Sequence, residues 1–156
     1  MLRTRIIIFS SIILLLTAIG SSQDPSLSYQ KFIRIEGNNW RVHFEGSSVL
    51  TLYGHGTRKA SSASAAAAQF LTDFHSMLRI KQLSDIHFVK TEVTPLGNHF
   101  YYQQYFAGMA VVGGEISLHF DQQHRLIAAT NGYHPLTGSV HFTDDRESAF
   151  NTAREM

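Results

Sequence analysis

From Asp85 to Gly132 the chain alternates apolar and polar side chains with a period of two, broken only by turn-length interruptions. A period of two marks a strand with one buried face. Turns this short between such runs permit only antiparallel pairing. In "DIHFVKTEV", Ile86 and Phe88 alternate with His87 and Val89; "TPLGN" then turns the chain. In "HFYYQQYF", Phe100, Tyr102 and Phe106 share one face, and Tyr101 and Tyr105 the other. "AGMAVVGG" interrupts. In "EISLHFD", Ile116, Leu118 and Phe120 point one way, and Glu115, Ser117, His119 and Asp121 the other. "QQH" is a tight turn and "RLIAATNG" the last strand. The pattern predicts a meander of antiparallel strands with one face covered.

The cover is upstream. Residues 60–80, "ASSASAAAAQFLTDFHSMLRI", are rich in alanine, the best helix former. Ala63, Ala67, Phe70, Phe74, Met77 and Leu78 follow helical spacing, so an amphipathic helix with a narrow alanine end and a bulky aromatic end is expected. Helix plus antiparallel sheet defines the fold class as α+β. Before the helix, "QDPSLSYQK" reads as a mobile lead-in. "FIRIE" and "WRVHFEG" read as a hairpin around "GNN", with Trp40, Val42 and Phe44 on one face and Arg41, His43 and Glu45 on the other. "VLTLYG" is a further short strand and "HGTRK" a loop.

The two ends have a different character. Residues 1–22 combine a basic start, "MLRTR", an apolar run from Ile6 to Ile19 and small residues at Ala18, Gly20 and Ser22, the pattern of a secretory signal peptide. That run of 14 residues is short of the roughly 20 that a spanning helix needs. A secreted or periplasmic product, not stably inserted in a membrane after cleavage, is therefore expected. At the other end, Pro135 and Gly138 punctuate the chain, "VHF" is strand-like, and "TDDRESAFNTAREM" opens a helix with Asp144 as N-cap and Glu147 three residues on. Its apolar side, Ala149, Phe150 and Ala153, has little to cover it.

Composition removes whole classes of function. The formal charge of +1 is too small for a nucleic-acid footprint. With the leader's Arg3 and Arg5 removed, acids outnumber bases by about one. There is no cysteine, hence no disulfide, thiol nucleophile or thiolate metal site. Hydrophobic residues make up 44% and charged residues 16%, ample for a core and contrary to disorder.

Catalytic motifs are missing as well. Nine histidines invite a metal, but no HExxH places two imidazoles on one helix face with a glutamate beside them. His87, His99 and His119 could meet only if their strands were neighbours. No GxSxG elbow exists. Glu115 and Asp121 share a strand face but lie roughly 20 Å apart, too far for paired acid–base work. Gly113–Gly114 is followed by neither lysine nor helix, so it is no phosphate loop. The aromatic strand faces fit a half-buried sheet surface without any ligand.

The order of features then carries a resemblance. An alanine-rich amphipathic helix precedes "PLGNHFYYQQYFAGMAVVGGEISLHFDQQHRLIAATNG". Residues 48–134 resemble the fungalysin/thermolysin propeptide domain, found in the pro-regions of secreted zinc metalloproteases. The matching positions are His99, Gln103, Tyr105, Gly108, Val111, Gly113, Gly114, His119, Asp121, Asn131 and Gly132; Ala110 stands where the family often has proline. The segment from residue 135 is similar to the start of a PepSY-type domain. The chain would then be the front piece of a longer precursor, or a product broken off inside its second pro-domain.

The resemblance implies a layout of signal peptide (1–22), lead-in and hairpin (23–47), propeptide domain (48–134) and incomplete PepSY-like start (135–156). It implies a non-catalytic intramolecular chaperone and temporary inhibitor, bound in cis or in trans to a metalloprotease catalytic domain. Any zinc would belong to that domain; this chain would need no cofactor. The implied partner-binding surface comprises His99, Tyr101, Gln103, Tyr105, Gly108, Val111, Gly113, Gly114, His119 and Asp121. The alternative is a stand-alone secreted module that binds peptide or glycan on its aromatic strand face, through Tyr101, Tyr105, Gln103 and His119.

Overall fold

The structure, a computed structural model, describes residues 25–138. The leader over 1–22 and the strand and helix expected beyond Gly138 lie outside those residues. The described chain is α+β, as the two periodicities require. In order come α1 (Pro25–Glu36), β1 (Trp40–Glu45), β2 (Ser48–Gly54), α2 (Ala63–Phe74), a 3₁₀ turn (Leu83–Asp85), β3 (Ile86–Thr94), β4 (Gly97–Phe106), β5 (Met109–Phe120) and β6 (Leu126–Asn131). The strands form one six-stranded antiparallel sheet in the order β1-β2-β6-β5-β4-β3. Four strands are a meander, and the β1–β2 hairpin adds to its β6 edge.

The first element corrects the expectation. Residues 25–36 are not the end of a mobile lead-in followed by a "FIRIE" strand; Pro25–Glu36 is a helix. Five residues cannot separate a period of two from one of 3.6, and Ile33 and Ile35 alternated by accident. Extended back to Pro25, the helical stripe is plain: Ser28, Phe32 and Glu36 are buried, and Tyr29 and Ile33 lean on the core. Proline suits the first helical position. Gly37, at φ 86°, ends the helix by donating its N–H to the Ile33 carbonyl at 2.9 Å, a left-handed cap. "WRVHFE" therefore forms its hairpin with "SVLTLYG" through the turn at Gly46, and not with residues 32–36.

α2 starts where Ser62 Oγ accepts the Ala65 N–H at 3.1 Å. It stops at Phe74, short of the expected 80. Tight turns carry the chain through Arg79, whose φ of 59° cannot continue a helix. Met77 and Leu78 are still fully buried, so the stripe outlasts the helix.

The core lies between the helices and one sheet face. Val42, Leu52, Ala129, Leu118 and Phe100 form one row across five strands of that face. Against it packs an aromatic cluster around Phe32, whose ring is 5.2 Å from Phe74, 5.0 Å from Trp40 and 6.3 Å from Phe70. Fully buried rings of this kind cost about 3–5 kcal/mol to truncate. Arg58 ties the helices at the rim, its Nε 3.0 Å from buried Glu36 and its Nη1 2.6 Å from Asp73. The opposite sheet face carries no second layer of described residues.

Candidate functional site

The uncovered face gathers the polar residues of β3 to β6. Register sets Glu92, His99, His119 and Ala128 in one row, and Lys90, Tyr101, Ser117 and Thr130 in the next. His99 and His119 are opposite one another, with their Nδ1 atoms 2.7 Å apart. At that distance one ring carries a proton and the other accepts it. Each remaining ring nitrogen meets a hydroxyl: His99 Nε2 lies 2.8 Å from Thr94 Oγ1, and His119 Nε2 lies 2.9 Å from Ser117 Oγ. Ser117 Oγ is in turn 2.6 Å from Thr130 Oγ1. The chain of polar contacts thus runs from the end of β3 to β6. Burial, then the neighbouring His99 charge, holds the His119 imidazole below its usual 6.5.

Tyr101 stands edge-on to His119, and its hydroxyl donates to Glu92 Oε2 at 3.1 Å. Lys90 lies over its ring at 4.9 Å and binds Glu92 Oε1 at 2.5 Å. Tyr105 stacks on His87 at 4.4 Å, so His87 belongs to a separate aromatic pair and does not join the other two histidines.

The remaining expected residues act on the backbone. "AGMAVVGG" does not interrupt the strands as a unit. Only Ala107 and Gly108, at φ 49° and 80°, make the turn, and β5 begins at Met109. Both positive φ values match the hairpin turn that follows strand twist. The irregularity lies deeper: Val111–Gly114 together face the single residue Gln104, a wide bulge between the pairs Gln103↔Glu115 and Tyr105↔Ala110. Gln103 is spent on it, its Nε2 donating to the carbonyls of Val111 at 2.7 Å and Gln104 at 3.1 Å.

Gln104 is the residue that the sequence reading missed. It is almost wholly buried and grips the chain after β6, donating Nε2–H to the His134 carbonyl at 2.6 Å and accepting the His134 N–H at 2.8 Å. Its parity with Phe100 and Tyr102 was the available signal that it faces the core. Gly114 abuts it: a Cβ there would lie 2.9 Å from Gln104 Cβ. Gly132 is under a harder restraint, since a Cβ would lie 2.1 Å from the Gly113 carbonyl oxygen.

Asp121 lies away from the His99–His119 pair, in the β5–β6 turn, with His55 Nε2 3.8 Å from its carboxylate. Its carboxylate accepts the N–H groups of Gln123 at 2.8 Å and Arg125 at 2.9 Å, and the Arg125 guanidinium at 2.7 Å. Burial alone would raise its pKa, but these bonds hold it below the usual 3.8. Asn131 is buried and donates to the carbonyls of Val49 at 2.9 Å and Leu78 at 3.1 Å, joining β6 to β2 and to the turn after α2.

Chemically, Ser117 and His119 form a contact that could suggest an activated hydroxyl, but Ser117 is buried between its neighbours and its Oγ is shared with Thr130. Both its neighbours in the sheet, Tyr101 and Thr130, hold it in register. Among the described residues, no three His, Cys, Asp or Glu side chains are placed to hold a metal ion. A cleft of about 130 Å³ lies between α2 and residues 58–61; of the charged residues that line it, Arg58 and Glu36 are paired with each other, Arg58 also with Asp73, and Lys59 is the third. No described helix is long and apolar enough to cross a membrane.

The open sheet face is thus an array of interlocked polar and aromatic side chains, with Gln103, Gln104 and the glycines around them committed to backbone shape. Residues 84–133 match the Fungalysin/Thermolysin Propeptide Motif. The matched segment is the β3–β6 meander, from the 3₁₀ turn to Tyr133. No curated protein and no solved structure matches the chain.

Proposed function

We propose that this chain is the non-catalytic pro-region of a secreted thermolysin-like metalloprotease, acting as chaperone and temporary inhibitor of its catalytic domain. The observation that supports it is the coincidence between the matched propeptide motif and the β3–β6 meander, whose turns and bulge are shaped by Gln103, Gly108, Gly114 and Asp121. A rigid surface can select one conformation of a partner. A domain that binds the folded enzyme, or the barrier leading to it, shifts that equilibrium without any reactive group. The open face with His99, Tyr101, Tyr105 and His119 is the surface assigned to the partner. Gly108, Gly113, Gly114, Val111, Gln103 and Asp121 act behind it, by holding turns and bulge. Export through a leader over 1–22 and a PepSY-type domain from residue 135 complete this reading, and zinc resides in the protease.

The test adds the chain to an acid-unfolded thermolysin-like catalytic domain. Higher refolding yield or slower peptide hydrolysis is expected. No effect on either with the cognate enzyme overturns the proposal. The propeptide match over residues 84–133 favours this reading over the alternative, a free-standing peptide or glycan binder that uses Tyr101, Tyr105, Gln103 and His119.

A further inference from the structure

Among the described residues β3 is an edge strand of nine residues, so half of its backbone hydrogen-bonding groups meet no partner strand there. It is also the most exposed apolar strip among the described residues: Phe88 is 57% exposed, Val89 57% and Val93 77%. Natural edges of this length are blunted by charge, and Lys90 supplies one. Glu92, two positions on and on the same face, cancels it, and the two bind each other at 2.5 Å. The bulge between Phe88 and Lys90 bends the start of the strand and leaves the stretch from Lys90 regular.

This sequence is complementary to itself. In an antiparallel pairing about a two-fold axis at Thr91, Lys90 of each chain stands opposite Glu92 of the other, and the pairing ends where Val93 meets the bulge at Val89. Opposed charges are contacts that favour a register, and like charges in the same place oppose it. A two-fold axis satisfies both Lys–Glu pairs at once. The other edge, β1, is shorter at six residues, and its apolar side chains face the core or, as Phe44 does at 5.2 Å, rest on Tyr29. We propose that the β3 edge pairs antiparallel with β3 of a second copy of this chain, centred on Thr91, to give one continuous sheet through a two-fold dimer.

The absence of cysteine makes the register directly testable. Thr91 is exposed, and only at the axis does a residue stand opposite itself. The full chain carrying Thr91→Cys is expected to form a disulfide-linked dimer under mild oxidation, whereas Val93→Cys and, on the β1 edge, His43→Cys do so at least about tenfold more slowly. Equal cross-linking at the three positions, or none at Thr91→Cys, overturns the proposal. The second measurement uses charge. Lys90→Glu and Glu92→Lys should each weaken self-association in sedimentation experiments about tenfold, and an equimolar mixture of the two variants should restore it as a heterodimer. Failure of the mixture to associate overturns the pairing even if both single variants are monomeric, because a fault within each chain would not be cured by mixing.

Discussion

The facing Nδ1 atoms of His99 and His119 lie 2.7 Å apart at the centre of the open sheet face, and one proton serves both rings. Charging His119 next to a charged His99 would bring two imidazolium rings into contact beside Lys90, with Glu92 as the carboxylate of their row; Tyr101, Ser117, Thr130 and Thr94 also line the pair. The folded state therefore resists protonation of His119.

Acidification should reveal this. Burial and the His99 charge hold His119 below 6.5, so in the window just below 6.5 the unfolded chain binds the extra proton and the folded chain does not. Stability present above that window is lost as pH falls through it. Thermal melts from pH 7.5 down to 5 should show a falling Tm in the wild-type chain and a flatter profile in His119→Gln. Parallel profiles in the two would contradict the assignment.

Gln104→Ala should cost about 2 kcal/mol, because it strands the N–H and carbonyl of His134 and empties a buried site. The neighbouring Gln103→Ala, whose side chain is less buried, should cost less than half of that. Urea denaturation of the two variants separates them; equal losses would mean that the bulge, and not the grip on residue 134, dominates.

Asn131 is the polar joint of the core. Asn131→Ala removes the bonds to the Val49 and Leu78 carbonyls and leaves the Tyr133 N–H without its acceptor. Loss of about 3 kcal/mol is expected. Hydrogen exchange should accelerate first at the β2–β6 pairing, where Asn131 acts, and not at β3–β4.

At alkaline pH a different group responds. Burial, together with the hydrogen bond that its hydroxyl donates to Asp85 at 2.7 Å, pushes Tyr133 up to about 12. The folded state keeps this proton after the unfolded chain has lost its own near 10, so stability declines as pH rises from 10 to 12. Ultraviolet titration should find one tyrosine ionising late, and Tyr133→Phe should abolish that late step.

Much of the architecture follows from local periodicity. The alanine stripe of α2 and the alternation of Ile116, Leu118 and Phe120 each name a buried face, and burial of 2% or less at those three strand positions agrees. Together they entail an α+β fold with an antiparallel sheet. α1 escaped because "FIRIE" is too short to distinguish the two periods, and only the docking of Phe32 among Phe70, Phe74 and Trp40 selects the helix. The hairpin partner of β1 followed from that error.

Tertiary structure alone decided what the polar residues do. Sequence places Gln103 and Gln104 side by side, but the ladder turns one into the bulge and the other onto residue 134. It names three strand histidines, yet inter-strand register pairs His99 with His119 and sends His87 to Tyr105. Periodicity is a property of neighbours along the chain, and so it is legible there. Register and bulges depend on which backbone lies alongside, down to the closeness of Gly132 to Gly113, and that contact exists only once the sheet has formed.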